Sequence, residues 1–353
     1  METCLDRLSW WCVLLSVLGA ANVCGVMQKA QAQDAASLVE RLHRADAESS
    51  LEDASLQPWH LKMSVQMYDD AGAPTEKGTV EEWWSGPGLW PAVYALPSYK
   101  ATEVKNSEGH FATPETSSPP YYLEALRQQV VHPLGGSDAL RDSVPDLRKQ
   151  SFGKADLDCI MMDQPIKMVA YPPLGLFPTY CLDRAKDSLR VSFEFGTQST
   201  IRAKVGSFQK RTVPLDLGIN VGSKQAASAH IDVLEGRTAP YTEMLSSEGL
   251  VPRSERLSEV AGGLINGRIL SKTAPIYPEA AKLRHASGTV LFRAIIGTDG
   301  HVHRLRLLTV PDPDLAMAAI AAVRQWTYKP WLINGVATEV DTTITVNFNL
   351  GRP

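Results

Sequence analysis

Cys159 and Cys181 are the only cysteines beyond residue 24; Cys4, Cys12 and Cys24 lie in the first stretch of the chain. In an exported protein such a pair favours a disulfide. The bond would close a loop holding Asp163, Pro172, Pro173 and Pro178, and by loop entropy it would stabilise the fold by about 3 kcal/mol. Two buried free thiols are the alternative. Neither cysteine has a histidine nearby, so a four-ligand zinc site is not expected. His301 and His303 are two apart and share a strand face, but no third ligand stands at motif spacing. Exposed hairpin histidines are the expected reading. Glu81 and Glu82 are adjacent on a strand and point to opposite faces, which is wrong for a paired acid and base. No G-x-S-x-G, H-E-x-x-H or Walker pattern occurs. Trp326 and Tyr328 share a face near Trp331, and core packing accounts for them. The chain is not expected to be an enzyme or to need a metal or cofactor.

The elements that position these residues fall into segments of different grammar. Trp10 to Ala21 is an apolar core of signal-peptide length, and Ala30-Gln31-Ala32 fits small-x-small cleavage. Residues 1–32 are therefore expected to be a signal peptide, with Gln33 as the mature start. Trp10 to Met27 as an uncleaved anchor, or a lipid on Cys24 after the poor lipobox Ala21-Asn22-Val23, are the alternatives. Each places the rest of the chain outside the cytoplasm. Beyond about residue 30 no apolar run is long enough to span a bilayer.

Ala35 to Ala47 has helical spacing at Leu38, Val39 and Leu42. From His60 to Tyr68 the period becomes two. Gly78–Trp84 and Trp90–Leu96 read as strands, Tyr121–Val131 as a helix after Pro119-Pro120, and Asp69-Asp70-Ala71-Gly72 as a turn. Strand patterns return at Cys159–Met162, Ile166–Tyr171, Leu189–Phe195, Ile201–Phe208 and Ala229–Leu234. This predicts a curved antiparallel sheet over residues 33–234. The pattern fades over Glu235–Val260, so 235–261 reads as a linker.

A second unit spans 262–353. It contains a short helix at Pro278–Arg284, a strand at Gly288–Gly297, a hairpin turn at Thr298-Asp299-Gly300 and a strand at His301–Val310. A helix over Asp312–Gln325 follows, capped by Asp312 or Asp314. Trp326–Leu332 is extended, Asn334-Gly335 is a second turn, and Val336–Leu350 closes the chain. The fold class expected is α+β: a half-barrel-like antiparallel sheet with helices, a linker and a small C-terminal domain.

The last unit resembles the TonB C-terminal domain. Ala274-Pro275-Ile276-Tyr277-Pro278, Gly288-Thr289-Val290, Asp299-Gly300, Ala321 to Pro330, Asn334-Gly335 and Val346-Asn347-Phe348 carry the resemblance in order. It implies helices on one face of a small antiparallel sheet and a site for the TonB box, a short extended peptide of outer-membrane transporters. Where the familiar transducers have a glutamine near the bound peptide, this chain has Ala274. Their anchor also carries a histidine that couples to a proton-driven motor, whereas Trp10 to Met27 holds no His, Asp, Glu, Lys or Arg. The middle segment resembles, by pattern alone, LolA-like half-barrels of periplasmic lipoprotein carriers. On that resemblance Met63, Val65, Met67, Trp83, Trp84, Trp90 and Tyr94 line an acyl-chain site; the plainer reading is that they fill a core.

Net charge is 35 − 39, or −4. That excludes a global electrostatic case for nucleic acid. Residues 262–353 hold ten Lys/Arg and six Asp/Glu, or +4, and 1–32 are balanced, so 33–261 carry −8. The expected function is a periplasmic protein of the TonB family that binds an envelope protein, with a role in TonB-dependent transport, through an open sheet edge. The alternatives are a lipid or lipoprotein carrier and a structural envelope protein. The candidate partner contacts are Ala274 and, on the polar face of the closing strand, Thr343, Thr345 and Asn347. The strand comes last in the chain, so no later segment is expected to cover its edge.

Overall fold

The computed structural model describes residues 35–114, 116, 118–134, 144–153, 155–163, 172–194, 196–253, 258–333 and 336–350. The leader and its alternatives, the Ile166–Tyr171 strand and the Asn334-Gly335 turn lie outside these residues.

Residues 35–49 form helix α1. A meander follows: β1 (Trp59–Tyr68), β2 (Pro74–Trp84), β3 (Trp90–Ala95), β4 (Lys100–Asn106) and β5 (Gly109–Ala112). Helix α2 (Tyr121–Val131) interrupts it. The chain returns through β6 (Val144–Phe152), β7 (Ala155–Asp163), β8 (Thr179–Asp183), β9 (Leu189–Glu194), β10 (Gln198–Phe208), β11 (Arg211–Val221) and β12 (Lys224–Gly236). With β13 (Val251–Pro252) these make one open 13-stranded sheet, ordered β13-β5-β4-β3-β2-β1-β12-β11-β10-β9-β8-β7-β6. Its described neighbours are antiparallel, with β1 and β12 joining the two halves.

Alternation decides which face is core. On β1, Trp59, Leu61, Met63 and Val65 are buried, and Trp59 stacks on Trp84 at 5.8 Å. Helix α2 lays Leu123, Leu126, Val130 and Val131 on this face. Burying each such side chain contributes about 1.5–3 kcal/mol. Pro120 precedes the first helical turn, where its missing N–H costs nothing, and Pro133 follows the last. Cys159 and Cys181 face each other across β7 and β8 and are bonded, Sγ to Sγ 2.03 Å.

The C-terminal part contains β14 (Ser258–Glu259), α3 (Gly262–Asn266), β15 (Ile269–Ser271), α4 (Glu279–Leu283), β16 (Gly288–Ile296) and β17 (Val302–Thr309). Helix α5 (Pro313–Val323), β18 (Thr327–Tyr328), β19 (Trp331–Ile333), β20 (Val336–Thr338) and β21 (Val340–Phe348) complete it. The main sheet has four strands, ordered β14-β21-β16-β17. Asp312 caps α5, its carboxylate accepting from the N–H groups of Asp314 at 2.8 Å and Leu315 at 3.3 Å. Gly300 takes φ 80° in the β16–β17 turn, which the Asp-Gly pair foretells.

Within 235–261, where the sequence pattern fades, two short strands occur: β13 pairs with β5 and β14 with β21. Two expectations change. The closing segment is two strands, β20 and β21, separated at Glu339. The small sheet gains β14 as a fourth strand, since the chain ahead of the domain folds back onto it. Strands β4, β5, β6, β8 and β11 carry no alternation clear enough to mark them in the sequence.

Candidate functional site

Strand β21 reads VDTTITVNF. Thr342, Ile344, Val346 and Phe348 are buried, while Thr343, Thr345 and Asn347 are exposed on the opposite face. Its inner neighbour is β16, paired from Gly288↔Phe348 to Ile296↔Val340. The Asp341 carbonyl accepts from the N–H of Val260, on the side away from β16. In a strand, the N–H and C=O of one residue point the same way and alternate along the chain. Thr343, Thr345 and Asn347 therefore also turn their backbone groups outward. No described strand pairs with β21 beyond Asp341 on that side.

The expectation of a wholly uncovered edge needs correction. An earlier segment covers its start: Ser258 pairs with Val340, Glu259 with Asp341, and Gly262 stands beside the Thr343 carbonyl. Being last in sequence does not leave a strand last in space. On the exposed face Arg293 binds Asp341 at 2.9 Å and Glu259 at 2.8 Å. Thr289 Oγ1 donates to Asn347 Oδ1 at 2.8 Å.

Ala274 is exposed in the extended stretch before α4. Trp326, buried in the core, holds that stretch by donating Nε1–H to the Thr273 carbonyl at 2.7 Å. Tyr277 meets Phe348 edge-on at 5.4 Å, and its hydroxyl donates to the Ala286 carbonyl. The tyrosine-proline and tryptophan elements thus fix Ala274 and β21 to one core. Ile276, between them, is 86% exposed.

The other sequence candidates fall elsewhere. His303 hydrogen-bonds Asp299 at 2.9 Å and lies 5.4 Å from the Tyr121 ring; His301 is exposed. Burial alone would raise the Asp299 carboxyl, but His303, together with the His301 N–H and ring, holds the group below its ordinary value. Among the described residues, no group of three or more His, Cys, Asp or Glu is placed to hold a metal. Glu81 faces His60 and Lys62, while Glu82 is fully buried against Arg127, at 2.7 and 3.0 Å. Spacing separates the two glutamates but could not name Arg127 as partner. Met63, Val65, Trp84 and Tyr94 are buried beneath α2, and Met67 and Trp90 pack at its margin. Trp83 is on the other face, stacked on His60 at 5.0 Å. A cavity of about 260 Å³ lies beside Trp90, lined also by Glu52, Lys105 and His110.

No curated protein matches the chain in sequence. Among solved structures, it is similar to a LolA superfamily protein from Nitrosomonas europaea, at 12% identity and TM-score 0.38, over 60% of this chain and 97% of that one. It is also similar to a DUF1329 family protein from Desulfovibrio piger, at 7% identity and TM-score 0.34, over 62% of this chain and 99% of that one. Residues 273–350, which hold Ala274, Trp326 and the whole of β21, match the family of the Gram-negative bacterial TonB protein C-terminal.

Proposed function

We propose that the chain is an exported envelope protein whose C-terminal domain docks an extended segment of another envelope protein along the outer edge of β21. The outward-facing backbone at Thr345 and Asn347 carries this reading. Unpaired N–H and C=O groups at a strand edge are a template for one more strand. Side-chain chemistry adds a basic domain, +4 over 262–353. The TonB box of an outer-membrane transporter is the occupant the family points to. On this reading 33–234 form one unit, 235–261 connect it and 262–353 form the docking unit. A lipid-carrier role has less support, because α2 already fills the apolar face that an acyl chain would need.

Chemical-shift mapping with a synthetic TonB-box peptide tests the proposal. Shifts are expected at Thr343, Thr345 and Asn347, and near Ala274. Thr345→Pro removes an outward N–H and should abolish binding while the fold, checked by circular dichroism, persists. Ala274→Gln should tighten binding. Shifts confined to other surfaces would overturn strand addition.

A further inference from the structure

Part of the docking edge already holds a strand, and that strand is the chain's own. Ser258–Glu259 runs parallel to Val340–Asp341. The Val260 N–H donates to the Asp341 carbonyl at 2.9 Å, and Thr342 Oγ1 donates to the Val260 carbonyl at 2.7 Å. Val260 buries its side chain in the domain core, and Glu259 pairs with Arg293 at 2.8 Å. The chain then leaves the edge at Gly262. A side chain there would place its Cβ 2.5 Å from the Thr343 carbonyl oxygen, so the close approach requires glycine.

We propose that residues 258–262 are an internal occupant of the docking edge, competing with an incoming strand for Asp341 and Thr343. This rests on the docking reading above. The backbone groups that face outward belong to Asp341, Thr343, Thr345 and Asn347. With the first two engaged or shielded, the free stretch is shorter than the about five to six residues of an ordinary strand. A partner pairing along the whole edge must lift this segment away.

Lifting the segment exposes the Val260 side chain and costs its apolar burial, but the segment's other contacts are weak. Its pairing is parallel and only two residues long, and parallel pairing is the weaker kind. Its ion pair is exposed, Arg293 by 50% and Glu259 by 79%, and so contributes little. Tethering supplies what the contacts lack, since a short tether keeps the segment at about millimolar effective concentration.

Two variants of the full chain release it by different means. Gly262→Ala forces the chain off the Thr343 carbonyl. Thr342→Val removes the hydroxyl donor and keeps the shape. Without peptide, amide exchange at Asp341 and Val260 should accelerate by about tenfold in both variants, while Thr345 and Asn347 stay as in the parent. Affinity for a synthetic TonB-box peptide should rise by about fivefold, the worth of roughly one hydrogen bond. Unchanged exchange in both variants overturns the occupancy. Faster exchange with unchanged affinity overturns the competition, and if Thr345→Pro still abolishes binding, the docking reading survives that loss. If the peptide binds neither parent nor variants, the docking reading itself falls and takes the competition with it.

Discussion

Arg127 is the residue whose loss should cost most. It is 2% exposed, donates twice to the fully buried Glu82 and once to Glu124, and lies 4.4 Å over the Trp90 ring. Arg127→Met leaves Glu82 buried with no counter-charge, and a broken buried pair costs about 3–5 kcal/mol. Burial already raises the Glu82 carboxyl even with Arg127 beside it. A carboxyl raised by folding contributes most at acid pH and loses that contribution as the pH rises through the raised value. Urea unfolding should therefore show the Arg127→Met deficit shrinking as the pH is lowered, and Glu82→Gln should rescue part of it at neutral pH. A deficit that does not change with pH would contradict this. His132 and Glu52 make a milder pair at 3.2 Å. The His132 hydrogen bond lowers Glu52, and the Glu52 hydrogen bond raises His132. The Glu52 contribution is lost as the pH falls and the His132 contribution as it rises, so the pair helps between the ordinary carboxyl and imidazole ranges. Both groups are partly exposed, so His132→Gln should cost only about 0.5–1 kcal/mol in that window and almost nothing above it.

At the scale of elements, what is local in sequence was legible and what depends on a distant partner was not. Helix α2, the Asp312 cap and the Asp299-Gly300 turn follow from neighbouring residues. Strand β11 was hidden by Pro214 and Gly218, both strand breakers in a short reading. The structure accommodates Pro214 because β12 pairs with β11 only from Asp216 onward, so no β12 ladder bond needs the missing N–H. Segment β14 is two residues with no period at all, and only its pairing with β21 makes it a strand. At the docking edge, the polar face of Thr343, Thr345 and Asn347 was readable, but not which backbone groups look outward. The disulfide joins β7 to β8, and Met161, Leu176 and Phe177 around its loop pack in the core cluster that holds α5. Reduction should lower stability by about 3 kcal/mol. It should also loosen α5, against the simpler expectation of an effect confined to the large sheet. Hydrogen exchange of the full chain with and without reductant tests this. Unchanged protection at Ala316 and Ile320 would restore the simpler expectation.

At the scale of the molecule, α5 explains why the two parts do not behave as beads on a string. Its sequence, PDLAMAAIAAV, is apolar almost all round, and such a helix must be covered on more than one side. The small sheet takes one side. The other meets the large sheet, where Gly196 lies against Ile320 and Met317. Polar contacts surround this seam. Arg324 donates to Tyr122 Oη at 3.0 Å and Gln198 Oε1 at 2.9 Å, and the Ser118 N–H donates to Thr298 Oγ1 at 3.0 Å. Charge crosses it as well: burial raises the Glu194 carboxyl, while Arg202 from its own sheet and Arg304 and Arg324 from the C-terminal domain oppose that rise. Gly196 has φ 72°, and a Cβ there would stand 3.3 Å from Ile320 Cγ2. Gly196→Val therefore adds backbone strain and crowding at the seam, at a cost of about 2–4 kcal/mol. The parent should unfold in one calorimetric transition. The variant should show two, with faster proteolysis between residues 245 and 262, while affinity for a TonB-box peptide stays within about twofold because β21 is paired elsewhere. Arg324→Ala should move the same way by less, since it removes hydrogen bonds worth about 1 kcal/mol each and introduces no strain. If Gly196→Val keeps a single transition, the seam does not couple the two parts. If it instead abolishes peptide binding with the fold intact, the docking edge depends on the seam, and the separation of scaffold from site is wrong.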